Sequence, residues 1–256
     1  MSIPIIVINL ARSPERMARI AADLDREGMS YTRFDAVDMA GRDPADEGLC
    51  DSSAARRRYG RPLRPAEVGC YLSHVGALRD LVSTAAPLGL ILEDDAEIPE
   101  GFREALDALV ACLQRPDLEG RWEVVNIGKA PKPKYRMPLA SLATTPRLDL
   151  AHALVLPVLS HGLLWSRAGA QAFLESHASP EMPLDHAVLD FATWRGTGLA
   201  LEPAMLNQSG AASDIDTDGQ RPRETMPERW RKWQRKWAYR RAVARNRARA
   251  RGFVIR

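Results

Sequence analysis

The sequence predicts an α/β protein with a mainly parallel central sheet flanked by helices. Short apolar runs alternate along the chain with segments in which apolar residues recur at helical spacing. The first run, residues 3–9, is apolar and rich in β-branched residues, as expected for a strand covered on both faces. With 256 residues and 45% hydrophobic content, the chain can form a large core, which excludes a wholly disordered protein.

The predicted elements begin with the strand over 3–9. Ser13 is the expected N-cap of a helix from Pro14 to about Arg26, and Pro14 suits its first position. A second strand over 31–37 completes a βαβ-like beginning. Residues 39–62 show no periodicity and are expected to form a long surface loop that orders over a ligand.

The alternation of helices and strands continues from Pro65 to residue 202. The predicted helices span 65–82, 102–113, 168–175 and 184–194. The predicted strands span 89–92, 123–127, 163–166 and 199–202. The proline- and glycine-rich segments 130–138 and 209–220 are expected to be loops.

The net charge of +3 conceals an acidic body and a basic tail. Residues 221–256 contain 14 Lys and Arg against 2 Asp and Glu, a charge of +12, whereas residues 1–220 carry −9. We therefore expect two units, a catalytic or binding domain over 1–220 and a basic helix within 221–256.

The chain shows no sign of export or of a membrane span. Its three cysteines, Cys50, Cys70 and Cys112, are widely spaced and form no CxxC pair, which favours a reducing compartment. The N-terminal run lacks the basic flank and cleavage site of a signal peptide. No apolar stretch approaches the roughly 18 residues of a membrane-spanning helix. We expect a cytoplasmic protein.

Three adjacent acids, Glu93, Asp94 and Asp95, follow the predicted strand over 89–92. Ligands of open α/β sheets bind beyond the carboxyl ends of the strands. Adjacent carboxylates repel each other unless a hard cation such as Mg²⁺ or Mn²⁺ neutralises them, and such cations bridge carboxylates to phosphates. Taken alone, the triplet is a weak signal for a metal site, because a solvated acidic turn is the alternative explanation.

The triplet lies within one of six motifs that occur in a fixed order along the chain. They are VINLARSPER at 7–16, FDAVD at 34–38, LRPAEVGCYLSH at 63–74, LILEDDAEI at 90–98, HGLLWSRAGA at 161–170 and PLDHAV at 183–188. Together they resemble glycosyltransferase family 25, the lipopolysaccharide-type galactosyltransferases, over about residues 3–215. The resemblance implies a GT-A-like fold and inverting, metal-assisted transfer of a sugar, commonly galactose from UDP-galactose, to a lipopolysaccharide or other surface glycan. The segments 39–62 and 130–150 are expected to select the acceptor.

The resemblance also implies which residues bind the donor and the metal, Mn²⁺ or Mg²⁺. Asp95 is the expected catalytic metal ligand, with Glu93 as a second ligand. The implied donor-binding residues are Asn9, Leu10, Arg12, Arg16, Ala36, Val37, Asp38, Ser73, His74, Glu93 and Asp94. Two of them have ordinary structural alternatives, since an arginine such as Arg16 is often a solvated helix residue and a histidine such as His74 is often a satisfied core residue.

An inverting transfer needs a base that takes the proton of the acceptor hydroxyl. Asp185, beside His186, is the predicted catalytic base, and a role as helix N-cap is an equally weighted alternative. Glu97 is the second choice. The chain departs from the family pattern at Leu163, where the family usually has Tyr, whereas Gln208, Ser213, Asp214 and Ile215 resemble its closing motif.

The tail combines an aromatic stripe with dense positive charge. Trp230, Trp233 and Trp237 recur at i, i+3 and i+7 among many Arg and Lys residues. Such a helix suits the surface of an anionic bilayer, and 227–251 is the expected contact, placing the protein peripherally on the inner face of the cytoplasmic membrane. Nucleic-acid binding is the less favoured reading, because the acidic body carries no nucleic-acid module.

Two other functions remain open on the sequence. One is a non-catalytic protein that binds polyanions and uses a degenerate transferase domain as a scaffold, against which the intact acidic triplet argues. The other is a Mg²⁺-dependent phosphohydrolase, but the chain lacks the nucleophilic aspartate motif that such enzymes need.

Overall fold

The computed structural model describes residues 3–128, 136–208 and 226–251. The helices are α1 Pro14–Arg26, α2 Ser52–Arg58, α3 Pro65–Ser83, α4 Phe102–Leu113, α5 Arg167–Ser176, α6 Leu184–Arg195 and α7 Met226–Arg251. The strands are β1 Ile5–Asn9, β2 Thr32–Asp35, β3 Leu88–Glu93, β4 Ala96–Glu97, β5 Val124–Asn126, β6 Arg136–Leu142, β7 Leu148–Ala153, β8 Gly162–Ser166, β9 Gly198–Glu202 and β10 Asn207–Gln208.

Eight of the strands form one sheet in the order β2-β1-β3-β8-β5-β9-β7-β6. Six of them run in the same direction, and only β8 and β7 are reversed. The predicted α/β class with a mainly parallel sheet is confirmed. Because β1, β2 and β3 are mutually parallel neighbours, their carboxyl ends meet at one edge of the sheet, next to the acidic triplet.

The sheet separates two hydrophobic cores. Alternate residues of β1 serve the two sides, since Ile5 and Val7 pack with α1 and α4, whereas Ile6 and Ile8 pack with α3, α5 and α6. Burial on both faces explains why β1 reads as an unbroken apolar run. Helices therefore pack against both faces of the strands that end near the acidic triplet.

The sequence places most elements to within two residues of their observed ends. One exception lies in the expected loop over 39–62, which contains the helix α2. The carboxylate of Asp51 accepts hydrogen bonds from the backbone N–H groups of Ser53 and Ala54, and Ala54 and Ala55 are buried. A seven-residue helix with two buried alanines is too short to produce a clear period in the sequence.

A second difference concerns residues 130–150, of which 130–138 are predicted to be loop and 130–135 lie outside the described residues. From Arg136 onwards they form the antiparallel pair β6 and β7, with a register shift beside Pro138. Ser13 also differs from expectation, because it occupies the N-cap position of α1 but its side chain makes no capping hydrogen bond. The loop predicted over 209–220, and with it Ser213, Asp214 and Ile215, lies outside the described residues.

The basic tail forms the helix α7, which packs against α6 through one side. Ala242, Val243, Asn246 and Ala250 are buried there, and the Asn246 amide donates to the carbonyl oxygens of Leu154 and Thr193. The opposite side presents Trp230, Trp233 and Trp237, each about half exposed, which we call the tryptophan face. Within the described ranges, no helix is long and apolar enough to cross a membrane.

Candidate functional site

A cavity of about 430 Å³ lies at the carboxyl ends of β1, β2 and β3. The N-terminal half of α3 forms its opposite wall. Its walls carry residues from the four segments 8–16, 36–41, 64–74 and 93–95. These segments are far apart in the chain and meet only because the three strands are parallel neighbours. The cavity occupies the position at which open α/β sheets bind their ligands.

The structure brings the predicted donor and metal residues together. Eleven of them line the cavity, namely Leu10, Arg12, Arg16, Ala36, Val37, Asp38, Ser73, His74, Glu93, Asp94 and Asp95. Asn9 lies beneath the floor and is fully buried. Sequence reasoning did not assign Met39, Arg64 or Cys70, which also line the cavity. Of these, Cys70 had a readable signal, since it precedes His74 by one helical turn.

Asp94, the middle acid, accepts a hydrogen bond from Asn9 and forms an ion pair with Arg16. The Asn9 amide donates a 2.6 Å hydrogen bond to Asp94 Oδ2, and the Arg16 guanidinium lies 3.4 Å from Oδ1. Arg16 is thus turned toward the cavity rather than toward solvent. This pairing leaves a cation and a carboxylate side by side at the cavity floor, a combination suited to binding phosphate and its counterion together.

Glu93, the first acid, is bonded to the other wall. Its Oε1 lies 3.0 Å from His74 Nε2 and accepts a 2.6 Å hydrogen bond from the Ser160 hydroxyl. Burial raises the pKa of Glu93, but the hydrogen bonds and the neighbouring imidazole outweigh burial, so the pKa lies below its usual value. Both hydrogen bonds end on Oε1, and Oε2 carries neither of them.

The acidic triplet has the donor chemistry of a hard-cation site, but its three carboxylates do not converge on one point. The three side chains diverge, because Glu93 turns to α3, Asp94 turns to β1, and Asp95 lines the cavity. Carboxylate oxygens are the ligands that Mg²⁺ and Mn²⁺ prefer. Asp95 and Oε2 of Glu93 would hold such an ion, whose chemistry is to neutralise charge on a diphosphate.

The rim segment 36–41 is fastened to the rest of the site by polar contacts. Arg12 forms an ion pair with Asp38, and this hydrogen bond is the main reason why the pKa of Asp38 is lowered. The Ser73 hydroxyl accepts from the Val37 N–H at 2.8 Å and donates to the Gly69 carbonyl at 2.7 Å. Ser73 therefore supports the cavity wall as well as lining it.

Asp185 is not among the residues that line the cavity. It lies in the first turn of α6, whose N-cap is Pro183, and Asp185 Oδ1 accepts a 2.8 Å hydrogen bond from the His186 N–H. Asp185 is therefore not the N-cap, although it satisfies a first-turn donor. Burial raises the pKa of its carboxyl group, which makes it a stronger base when ionised.

The remaining predicted positions lie away from the cavity. Glu97 is an exposed residue of β4, whose partner strand contains Gln208. Leu163, the departure from the family pattern, is buried in β8 beside Ile91 of β3. Leu163 therefore belongs to the hydrophobic core between the sheet and the helices α3, α5 and α6, and it does not line the cavity.

Together, the fold and the cavity define an α/β protein with a mixed-charge ligand site at the carboxyl ends of its strands. The chain belongs to glycosyltransferase family 25: the family described as "Glycosyltransferase family 25 (LPS biosynthesis protein)" matches residues 2–136, more than half of the chain. Its mainly parallel sheet flanked by helices is the α/β architecture that the resemblance implies. The matched region contains every residue that lines the cavity.

Several curated proteins are similar to this chain. The human "Inactive glycosyltransferase 25 family member 3" is 30% identical over 137 residues, which cover 49% of this chain and 21% of that protein. Zebrafish (Danio rerio) "Procollagen galactosyltransferase 1" is 27% identical over 194 residues, covering 71% of this chain and 30% of that protein. The chain thus spans less than a third of the length of these relatives.

One solved structure covers most of the chain. It is "Crystal structure of a glycosyltransferase involved in the glycosylation of the major capsid of PBCV-1", with a TM-score of 0.47 and 10% sequence identity. The match covers 86% of this chain and 98% of that structure.

Proposed function

We propose that the protein is an inverting glycosyltransferase that moves a sugar, most simply galactose, from a UDP-sugar to a surface-glycan acceptor such as lipopolysaccharide. One observation carries this proposal: eleven residues implied by the family motifs, from four separate segments, line a single cavity. A chance resemblance would not gather them there. Family membership and the galactosyltransferase names of relatives support the same reaction.

The cavity supplies the groups that a nucleotide diphosphate needs. Arg12 and Arg16 offer positive charge for phosphate oxygens, and Asp38 on the rim offers a carboxylate for a ribose hydroxyl. Mn²⁺ or Mg²⁺ held by Asp95 and Glu93 would neutralise the leaving diphosphate. The base proposed for the acceptor proton is Asp185, which would take it as the hydroxyl oxygen attacks the anomeric carbon and the bond to UDP breaks.

The acceptor is proposed to lie at a membrane, where the tryptophan face would dock on an anionic bilayer. Of the 26 residues of α7, 11 are Lys or Arg and one, Glu228, is acidic. Trp194, on α6, is exposed nearby and packs 6.1 Å from Tyr239 of α7. Exposed indole rings flanked by cations match the interface of an anionic bilayer, where each basic residue contributes about 1 kcal/mol.

The tail is also connected to the cavity wall. Arg61 lies 3.0 Å from Glu228 of α7 and 2.6 Å from Glu67 of α3. Glu67 accepts from the Arg64 N–H, and Arg64 lines the cavity. Docking of α7 on a bilayer at the inner face of the cytoplasmic membrane would therefore hold the cavity beside a lipid-linked acceptor.

Release of UDP from UDP-galactose, with and without Mn²⁺, tests the proposed reaction. We expect Mn²⁺-dependent release that increases with a glycan acceptor and is lost in Asp95→Asn. Asp107→Asn, on the exposed side of α4, is the matched control. A non-catalytic polyanion-binding protein is the second candidate, favoured by relatives that are named inactive. That candidate predicts no release under any condition.

Liposome flotation tests the membrane partner. We expect the full chain to float with vesicles containing anionic lipid and to remain unbound with neutral vesicles. Replacing Trp230, Trp233 and Trp237 with Ser should abolish flotation while circular dichroism stays unchanged. Equal flotation with neutral and anionic vesicles would contradict the membrane assignment. Loss of vesicle binding in an excess of RNA would contradict it as well.

A further inference from the structure

Three side chains that can bind metals lie close together where α3 faces the end of β3 in the cavity. Cys70 and His74 lie one turn apart on the same face of α3, and Glu93 ends β3 opposite them. One ligand atom from each residue lies within 4.8 Å of the other two. Around tetrahedral zinc, with bonds of about 2.0–2.3 Å, ligand atoms are roughly 3–4 Å apart. Small side-chain adjustments would complete that geometry.

We propose that Cys70, His74 and Glu93 bind one Zn²⁺ ion, with the fourth coordination position open to the cavity. Three protein ligands and one open position are the pattern of zinc sites that exchange a water or a substrate oxygen. The ligand set differs in kind from the carboxylates expected to hold Mn²⁺ or Mg²⁺. Thiolate and imidazole favour zinc over those hard cations.

The surroundings of the thiol favour a cation at this point. Burial is the main reason why the pKa of the Cys70 thiol is raised, and the nearby carboxylates of Glu93, Asp185 and Asp95 raise it further. His74 is 2% exposed, so its ring is held in place by packing on α3 and β3. The Ser160 hydroxyl donates to Glu93 Oε1 and orients that carboxylate from outside the cluster.

Proton balance in the proposed binding step is simple. Zn²⁺ replaces the thiol proton of Cys70, which passes to water, and a neutral His74 ligates through Nε2. The existing contact between His74 Nε2 and Glu93 Oε1 opens to admit the ion between them. Because Glu93 is shared, Zn²⁺ in this site withdraws its carboxylate from a hard cation at Asp95.

The alternative is that His74 and Glu93 form an ordinary buried hydrogen-bonded pair. That pair does not require a thiol, so Cys70 distinguishes the two explanations. The inference also stands apart from the proposed transfer reaction, because metal binding is measured without donor or acceptor.

Cobalt substitution tests the site on the full chain. We expect one Co²⁺ per chain, a thiolate-to-cobalt absorption band in the near ultraviolet, and loss of that band when Zn²⁺ is added. Cys70→Ser should abolish the band, and His74→Ala should weaken Zn²⁺ binding at least tenfold. Cys50→Ser, which changes a partly exposed thiol outside the cluster, is the matched control and should retain the band.

Circular dichroism of each variant verifies that it is folded, and Cys70→Ala provides a second replacement if Cys70→Ser is not. Absence of a thiolate band in the unmodified protein would overturn the proposal. A band that persists in both Cys70 variants would overturn it as well. Binding of Co²⁺ with no thiolate contribution would assign the metal to the acidic triplet instead.

Discussion

Asn9 and Asp94 are 85 residues apart in the chain, yet the Asn9 amide donates a 2.6 Å hydrogen bond to the Asp94 carboxylate. The same amide nitrogen also donates to the Ser13 carbonyl at 3.0 Å. Asn9 therefore joins the end of β1, the start of α1 and the middle acid of the triplet. This buried side chain thus connects three segments of the chain at the cavity floor.

Replacing Asn9 with Ala should destabilise the protein and weaken donor binding. The change removes the 2.6 Å hydrogen bond from the Asn9 amide to the buried Asp94 carboxylate, which costs about 2 kcal/mol. Urea unfolding should show the loss of stability, and UDP titration should show weaker binding. Asn207→Ala, at an exposed position, serves as the control and should change neither. Unchanged stability in Asn9→Ala would show that the hydrogen bond is unimportant.

Ser73→Ala should loosen the rim segment 36–41. Without the hydroxyl, the Val37 N–H loses its acceptor, and we expect a loss of about 1–2 kcal/mol in unfolding free energy together with weaker UDP binding. Ser83→Ala is a closely matched control, because the Ser83 hydroxyl bonds a carbonyl of the same helix but is exposed. Equal effects of the two substitutions would contradict a specific role for Ser73.

Asp185→Asn should reduce sugar transfer without reducing donor affinity. Amide replaces carboxylate at nearly constant shape, so a missing base should lower kcat by about 10²-fold or more. The dissociation constant of UDP should change by less than about threefold, because Asp185 does not line the cavity. Lost UDP binding in this variant would reassign Asp185 to a structural role at the start of α6.

His152 should make the stability depend on pH. Burial in β7 lowers its pKa from 6.5 to about 4. Between these two values the unfolded chain takes up a proton that the folded protein excludes, so stability falls as the pH falls through that window. From pH 7.5 to 5, the loss due to His152 should be about 2 kcal/mol.

Urea unfolding at both pH values checks this expectation. His152→Leu removes the titrating group, so its stability should fall by about 2 kcal/mol less than that of the unmodified protein over the same pH range. Identical pH dependence in the two proteins would show that His152 does not control acid stability.

The central strands could be predicted because their composition reports burial directly. β1 and β3 are apolar throughout, since helices cover both faces of the sheet, and their parallel pairing places Glu93 to Asp95 beside Asn9. The family motifs then select the same residues that line the cavity. The continuous apolar composition of these strands and the order of the motifs were sufficient to predict this part of the fold.

Other features depend on contacts that local sequence does not encode. The helix α2 is fixed by the Asp51 cap and by burial of two alanines. Strand β7 depends on pairing with β9, about 50 residues away, and β6 pairs in turn with β7. Cys70 approaches Glu93 only because α3 lies across β3. Similarly, the half of α7 that packs on α6 contains Ala242 and Asn246, which are small or polar and give no apolar stripe.

Because one side of α7 packs on the rest of the protein, removing this helix would expose surface that it covers. A chain shortened to residues 1–220 would lose the Asn246 donor to the carbonyls of Leu154 and Thr193, the Tyr239 hydroxyl bonded to Asp190, and the apolar cover of Leu154. Its newly exposed surface would favour aggregation. Expression tags and deletions are therefore better placed away from α7, because this helix covers apolar surface of the acidic body.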